Sequence, residues 1–268
     1  FELRSGIRDY SLKTDFSWIP NPNHTLRFGT EMIFHEFTPS TAQATLEDNA
    51  IGVPSAQTLY AHDWMLYAED DWDISTRWKL NYGFRLSYFQ HTGPFDRFVK
   101  GPDGLNTDTI SYGTFDNIQD YYRAEPRLAL RFRINENSSL KGAFTVNYQN
   151  LHLANLATVS LPTDIWLPST EIIPPQESMQ WNVGYFRNFL NDKIETSVEL
   201  YYKHMNNLIE YRDNSSFGDI VNDNPDNILS IGKGRSWGME LFIKKSIGRL
   251  TGWIGYTLAW TQRFDFPK

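Results

Sequence analysis

The sequence has no cysteine, no long apolar run and no excess of basic side chains. Without cysteine, disulfide frameworks, thiolate zinc sites and cysteine nucleophiles are excluded. No stretch approaches the roughly 20 apolar residues of a membrane-spanning helix. The formal net charge of -7 argues against a nucleic-acid partner, because that binding needs a concentrated basic surface. The fold therefore depends neither on disulfides nor on a membrane-spanning helix, and the order of apolar and polar side chains has to indicate it.

That pattern is the alternation of apolar and polar side chains. Between residues 125 and 148, apolar side chains occupy even positions, namely Leu128, Leu130, Phe132, Ile134, Leu140, Phe144, Val146 and Tyr148. The odd positions between them are basic or polar, namely Arg127, Arg131, Arg133, Lys141, Thr145 and Asn147. A period of two indicates a strand whose two faces meet different media.

The same alternation recurs along the whole chain and predicts about ten strands in five hairpins. The further runs are 10–18, 25–37, 59–74, 77–89, 178–189, 193–209, 235–246 and 249–261. No segment has a helical period. The sequence therefore predicts a single all-β domain over residues 1–268, in which consecutive strands pair antiparallel.

The connections between these runs alternate strictly between two lengths. Tight turns rich in Asn, Asp, Pro, Ser and Gly end the hairpins at "PNPN", "DIST", "NENSS", "LND" and residues 247–249. Long segments join one hairpin to the next, at residues 38–58, 90–122, 150–177 and 212–234. Short turns at one end and long loops at the other are typical of outer-membrane barrels, in which the long loops are extracellular.

The length of the runs also favours a transmembrane antiparallel β-barrel. Several alternate for longer than the 5–6 residues common in soluble strands, and a tilted strand needs about 9–11 to cross a bilayer. The sequence is rich in aromatic residues, with 9 Trp and 14 Tyr, which are enriched where hydrocarbon meets headgroups. We therefore predict that the Leu/Phe/Val face contacts lipid and the Arg/Lys/Asn face lines a lumen.

One alternative from another class is a secreted or surface β-sandwich that binds glycans, which would also account for the aromatic residues and the acidity. It predicts shorter strands, with loops at both ends. An enzyme is not indicated, because no catalytic triad, Walker loop or nucleophile elbow stands in a suitable context. The sequence therefore indicates no catalytic residue and no cofactor.

Three groups of polar residues are candidate chemical sites. The acidic run Glu69, Asp70, Asp71 and Asp73 could be an acid–base pair or a cation site, but alternation places Glu69, Asp71 and Asp73 on the polar face. Asp70 falls on the apolar face without an evident reason. The six histidines lack the close spacing of a metal site. The acidic loop at 211–227 lacks the spacing of an EF-hand, so solvated loop is favoured and no metal is predicted.

The long segments also carry aromatic side chains that could stack on a flat ligand or a sugar ring. The candidate ligand-binding residues are Tyr112, Phe115, Trp166 and Phe217, with the polar Asp219. The simpler interpretation, in which these aromatic residues pack the loops onto one another, is favoured.

Three stretches carry a resemblance to a known family: "LYAEDDWDISTRWKLNYGFRLSYF", "EPRLALRFRINENSSLKGAF" and "GKGRSWGMELFIKKSIGRLTGWIGYTLAWTQRFDF". They resemble the barrel of TonB-dependent outer-membrane receptors, especially the Bacteroidetes type. The resemblance implies part of a 22-stranded barrel around an N-terminal plug, in a Gram-negative outer membrane. Neither plug nor TonB box is recognisable, and the family's final strands would follow "RFDFPK", so we expect a partial barrel.

The resemblance also implies a function and a set of partners. The function would be active uptake of a siderophore, haem, a vitamin, or a glycan or peptide. The partners would be the lipid bilayer, the TonB–ExbB–ExbD complex through the missing N-terminal region, the nutrient itself and a surface lipoprotein. Substrate would bind among the loops and lumen residues above the plug.

Overall fold

A computed structural model of the chain describes residues 2–46, 49–52, 57–101, 105–154, 164–212 and 223–267. The strands are β1 (Glu2–Asn21), β2 (His24–Leu46), β3 (Asn49–Gly52), β4 (Leu59–Asp73), β5 (Trp78–Thr92), β6 (Phe95–Lys100), β7 (Asn106–Tyr112), β8 (Asn117–Asn135), β9 (Ser138–Gln149), β10 (Leu151–Ala154), β11 (Ile165–Pro168), β12 (Gln176–Phe189), β13 (Ile194–Tyr211), β14 (Leu229–Lys245) and β15 (Gly252–Phe264). A 3-10 turn, Pro225–Ile228, precedes β14. No helix in these ranges is long and apolar enough to cross a membrane.

Ten of the strands form one continuous antiparallel sheet. Its order is β1-β2-β4-β5-β8-β9-β12-β13-β14-β15, and β3 extends it by pairing with β2. Each strand therefore pairs with its nearest long neighbours in sequence, as in a meander. Among the described residues, β1 and β15 each have one strand partner, so the sheet is open. A single sheet does not fit the β-sandwich alternative, in which two sheets pack face to face.

The strands of this sheet are long. They range from 12 residues in β9 to 23 in β2, against a mode of roughly 5–6 in soluble proteins. The tight turns fall where the sequence predicted them, between β1 and β2, β4 and β5, β8 and β9, β12 and β13, and β14 and β15. We call this the short-turn end of the sheet and the opposite one the long-connection end.

The two faces of the sheet differ as the alternation predicted. One face exposes large apolar side chains, among them Leu12, Phe16, Trp64, Leu66, Phe84, Leu86, Leu128, Leu130, Val183, Val198, Leu200, Ile254 and Tyr256. The residues between them in sequence are largely charged or polar and form the polar face. Directly opposed residues on paired strands lie on the same face. Leu80 opposes Leu130 on the apolar face, and Lys79 opposes Arg131 on the polar face. This apolar face is unusual for a protein surface in contact with water.

Two glycines on the polar face are covered by tyrosine rings of the adjacent strand. Gly29 pairs with Tyr67 and Gly238 pairs with Tyr201. A Cβ added at either glycine would meet the tyrosine ring at 2.9 Å and a backbone oxygen closer still. Because each glycine has no side chain, it leaves the space above the sheet that the tyrosine ring occupies.

The long connections contain more regular structure than the sequence predicted. The strands of the sheet continue into the segments first assigned to loops, since β2 reaches Leu46 and β8 already begins at Asn117. Two further hairpins, β6–β7 and β10–β11, form within the segments 90–122 and 150–177. Alternation alone did not reveal them because both are short and largely irregular in their polarity.

The apolar core lies at the long-connection end rather than along the length of the sheet. Its fully or nearly fully buried members are Phe37, Leu59, Ala61, Phe89, Phe95, Ala154, Ile165, Leu167, Ile173, Ile209, Ile228 and Leu229. Phe37, Ala61 and Phe89 belong to the sheet, while Phe95, Ile165 and Leu167 belong to the two hairpins. The connections therefore fold back onto the polar face of the sheet and cover the part of it nearest the long-connection end. We refer to this covered region as the cap.

Candidate functional site

The polar face below the cap carries paired charges. Arg27 on β2 contacts Glu69 at 2.8 Å and Asp71 at 3.2 Å, both on β4. Arg85 makes two hydrogen bonds to the buried Glu125, at 3.0 and 2.5 Å. Alternation brings these residues to the same face, and the antiparallel register brings them within reach. Glu69 and Asp71 of the acidic run therefore form ion pairs with Arg27 on the polar face.

Asp70, which the sequence left unexplained on the apolar face, has polar partners at the short-turn end. Its Oδ2 lies 2.6 Å from His24 Nδ1 and accepts a hydrogen bond of 3.3 Å from the Tyr82 hydroxyl. His24 itself stacks on Trp72, with ring centres 5.3 Å apart. Asp70 is 5% exposed, so these groups shield its carboxylate from the surroundings of the apolar face.

The cap is held together by buried polar contacts between three connections. Arg97 on β6 donates from Nη1 to both carboxylate oxygens of Asp226, at 2.8 and 2.7 Å. Thr170, which follows β11, donates to the same carboxylate at 2.6 Å. Their side chains exclude most solvent, with Arg97 10% and Asp226 3% exposed. Asp226 therefore joins the segments 90–122, 150–177 and 212–234.

Asn224 adds a second tie between β6 and the turn before β14. Its side-chain oxygen accepts from the Phe98 backbone N–H at 2.7 Å, and its amide donates to the Asp96 carbonyl at 2.9 Å. Gln57 binds the same backbone segment: its side-chain oxygen accepts from the Asp96 N–H at 2.8 Å, and its amide donates to the Asp96 carbonyl at 3.0 Å. These contacts use the edge of a short hairpin that would otherwise leave its backbone groups unpaired.

Two histidines are buried in the cap, beyond the apolar band that ends on β5 at Tyr88. His91 is 1% exposed, and burial lowers its pKa to about 4, while Asp226 opposes this shift and Arg97 adds to it. Burial likewise lowers the pKa of His152 to about 4. His152 contacts Ser169 Oγ at 2.9 Å and Gln176 at 3.2 Å. Both imidazoles are therefore neutral near pH 7.

The structure places three of the five candidate ligand-binding residues. Tyr112 and Trp166 are partly buried against the apolar core of the cap. Phe115 is 66% exposed, and its ring centre lies 6.0 Å from that of His62. Phe217 and Asp219 lie outside the described residues. Packing therefore accounts for Tyr112 and Trp166. Phe115 is exposed at the long-connection end, next to His62, which lies on the same face of β4 as Trp64 and Leu66.

The residues that organise the cap were missed by sequence reasoning. Asp226 lies in the acidic loop 211–227, for which the sequence favours a solvated loop, and no local pattern marks Arg97, Thr170, Asn224 or His91. Asn224 and Asp226 flank Pro225 at the start of a 3-10 turn, which is a local signal of an ordered turn. Within the described ranges, no three His, Asp or Glu side chains are grouped so that they could hold a metal ion.

Comparison with known proteins identifies the architecture. The family model described as "TonB dependent receptor-like, beta-barrel" matches residues 3–267. Among solved structures, the copper transporter OprC has a TM-score of 0.66 at 13% identity, covering 96% of this chain and 39% of its own. The FrpB iron transporter from Neisseria meningitidis (F3-3 variant) has a TM-score of 0.61 at 14% identity, with coverage of 96% and 36%.

A third structure of the same kind is the pyoverdine outer membrane receptor FpvA from Pseudomonas aeruginosa PAO1. Its TM-score is 0.56 at 18% identity, covering 98% of this chain and 36% of that receptor. A search of curated proteins gave no match. At these identities the likeness establishes the fold alone. The chain spans between a third and two fifths of the length of these three structures.

Proposed function

This chain belongs to the family of TonB-dependent receptor-like β-barrels, and from that premise we propose that it forms part of the wall of an outer-membrane transporter for active nutrient uptake. The family consists of Gram-negative outer-membrane receptors and transporters. The observation that carries the proposal is the division of one long-stranded sheet into an exposed apolar face and a charged face. Such a wall separates lipid from a polar lumen.

In this proposal the long-connection end faces the outside of the cell and the short-turn end faces the periplasm. Support comes from the strict alternation of connection lengths. The cap then lies over the lumen on the external side, where a nutrient arrives. Its buried ion pair and apolar core make it a preformed surface, on which an incoming ligand meets ordered side chains.

We propose that the nutrient is captured at this external end, with Tyr112, Phe115, Trp166, Phe217 and Asp219 as the candidate contacts. The solved relatives named above are transporters of copper and iron and a receptor for pyoverdine. Among the possible substrates we therefore favour metal-bearing nutrients such as siderophores or haem over vitamins, glycans and peptides. TonB with ExbB and ExbD would supply the energy, and a surface lipoprotein would assist capture.

The proposal is tested by uptake in cells that express the complete native protein. Labelled ferric siderophores, haem, copper, cobalamin and oligosaccharides are supplied in turn, with and without a functional TonB. We expect accumulation of one class, lost on deletion of the gene and on loss of the proton-motive force. Unchanged uptake of every class after deletion, or uptake independent of TonB, would contradict it.

A further inference from the structure

The pairing of β8 with β9 ends well before either strand does. The last directly opposed residues are Arg127 and Thr145, but β8 begins at Asn117 and β9 continues to Gln149. Over the same stretch β8 stays paired with β5, and β9 stays paired with β12. We call the contact between the two strand portions beyond Arg127 and Thr145, toward the long-connection end, the seam.

Pro126, the first residue of the seam on β8, has no backbone N–H to donate to β9. The N–H of Arg133 donates to the Arg77 carbonyl, on the β5 side of the strand. Backbone groups of successive strand residues point to opposite sides, and no register shift separates Pro126 from Arg133 in the pairing with β5. Even-numbered residues such as Pro126 therefore face β9. Proline inside sheets is confined to edges and bulges, so it fits a strand that lacks a partner on that side.

Side chains of β8 itself occupy hydrogen-bonding positions along the seam. The Gln119 amide donates to the Asp120 carbonyl at 3.0 Å, and Arg123 Nη1 donates to the Tyr122 carbonyl at 3.0 Å. Both carbonyls belong to even-numbered residues, which face β9. In a continuous sheet the neighbouring strand would supply these donors. The two carbonyls therefore keep a partner whether or not β9 lies close.

Side-chain contacts connect the two sides of the seam. The guanidinium carbon of Arg123 lies 5.2 Å from the ring centre of Tyr148 on β9 and 5.1 Å from that of Tyr121 on its own strand. The Tyr121 hydroxyl donates to the Thr170 carbonyl, beyond β11, at 2.6 Å. A cation–π contact and a single hydrogen bond each contribute modestly. They can break and form again without unpairing any strand of the sheet.

The seam starts inside the apolar band and runs up to the cap. Ala124, two residues from Pro126, opposes the exposed Leu86 of that band, where backbone groups without partners are costly. The hairpin β6–β7 leads into β8, and the hairpin β10–β11 follows β9. Separation of β8 from β9 would therefore also separate two of the connections that form the cap.

We propose that the seam is a gate in the wall, which opens toward the long-connection end while the sheet stays paired below Arg127 and Thr145. Arg123 is the residue that holds the gate closed, through its contact with Tyr148. The inference rests on the proposed function, since opening gives a nutrient at the external end a lateral route past the cap to the polar face. The moving part then belongs to the wall and not to the long connections alone.

Spin labels on the two sides of the seam test for two states. Residues 1–268 contain no cysteine, so labelled cysteines replace the exposed Asn117 and Gln149 in the complete native protein, with any cysteine elsewhere changed to serine. Electron paramagnetic resonance in lipid vesicles then measures the separation of the labels. We expect two separations. Arg123→Leu should raise the ratio of the longer to the shorter by about 2–5-fold, as loss of a partly exposed cation–π contact implies. Pro126→Val should lower it, because valine restores an N–H toward β9.

The matched control is a label pair at Arg131 and Lys141, which are exposed and directly opposed in the paired part of the same two strands. It should give one separation in every variant, and Arg127→Leu should leave the seam pair unchanged. A single short separation at the seam, a ratio that neither Arg123→Leu nor Pro126→Val alters, or equal opening of both label pairs would overturn the proposal. The measurement uses no nutrient, so its failure is distinguished from failure of uptake.

Discussion

At the scale of single residues, neighbouring positions on one strand experience opposite surroundings. Leu128 and Arg127 on β8 are adjacent in sequence, and both are exposed. Leu128 opposes Tyr82, close to the middle of the apolar band between the rows of Trp78 and Tyr88. Arg127 opposes Gly83 on the polar face. Substitutions at these two positions therefore report which medium each face contacts.

We expect Leu128→Arg to lower the free energy of unfolding of the membrane-inserted receptor by about 2–4 kcal/mol, because it places a charge in hydrocarbon near mid-membrane. Arg127→Leu should cost much less, since it removes a charge from a polar surface. Urea unfolding in lipid vesicles, followed by tryptophan fluorescence, measures both. Equal losses in the two variants would show that the two faces contact similar media.

His91 makes the cap sensitive to acid. Its pKa is lowered by burial to about 4 from 6.5, so between these values the unfolded cap binds more protons than the folded one. The stability of the cap is therefore full above about pH 6.5 and falls as the pH drops toward 4. The protection factor of the Phe98 amide, whose N–H is bound to Asn224, should fall over this range once the intrinsic pH dependence of exchange is divided out.

A His91→Phe variant separates this titration from general acid effects. Neither imidazole nitrogen has a hydrogen-bond partner in the described structure, so the substitution breaks no such bond. We expect a shallower dependence on pH, to whose remainder His152 contributes because burial lowers its pKa as well. The control His204→Gln, at a strand position outside the cap, should keep the full dependence. A profile unchanged by His91→Phe would assign the effect elsewhere.

At the scale of elements, the cap depends on the ion pair that ties β6 to the turn before β14. Arg97→Met would leave the Asp226 carboxylate buried without its cation, at a cost of about 3–5 kcal/mol in the local stability of the β6–β7 hairpin. Mass-spectrometric hydrogen exchange over residues 95–112 measures the loss. The apolar double variant Arg97→Met/Asp226→Leu should recover part of it.

The matched control for this prediction is the neighbouring pair of Lys100 and Asp223. Their charged atoms lie 2.7 Å apart, but the side chains are 33% and 11% exposed. Lys100→Met should therefore cost about 0–1 kcal/mol. If both lysine and arginine variants opened the hairpin equally, burial of the Arg97 pair would not be what stabilises it.

The elements differ in how far the sequence could predict them. The sheet followed from alternation, because a period of two assigns each residue to a face and tight turns then set the register. The cap did not, because Arg97 and Asp226 are 129 residues apart and no local pattern marks their contact. Asp70 is an intermediate case. Its position on the apolar face was predicted, but its partner His24 is the first residue of β2, in another hairpin.

At the scale of the whole molecule, we expect all four long connections to lie outside the cell. Protease added to intact cells should cut within 38–58, 90–122, 150–177 or 212–234 and spare the turns at Asn21, Asn135 and Asn191. The physical reason is that the membrane blocks access to the short-turn end. Cleavage is read by mass spectrometry, with permeabilised cells as the control for accessible turns. Cuts at those turns in intact cells would reverse the orientation.

The open sheet sets a limit on what residues 1–268 do by themselves. The outer edges of β1 and β15 carry backbone groups without strand partners in the described structure, and each such group in hydrocarbon costs several kcal/mol. Expressed alone, this segment should aggregate and give no stable conductance in a planar bilayer. The complete native protein serves as the folded control. A discrete, long-lived pore from residues 1–268 would contradict the expectation.

The tie between Arg97 and Asp226 also bears on the order in which the molecule assembles. Closing a loop of 129 residues costs chain entropy before any contact is gained. Pairing of the intervening strands β8 to β13 shortens that search, because it carries the two connections to the same end of the sheet. The ion pair should consequently form late, after most of the wall. In a chain stalled during insertion, the β6–β7 hairpin and the turn before β14 would not yet be joined. The cap would then form only at the end of assembly, when Arg97 meets Asp226.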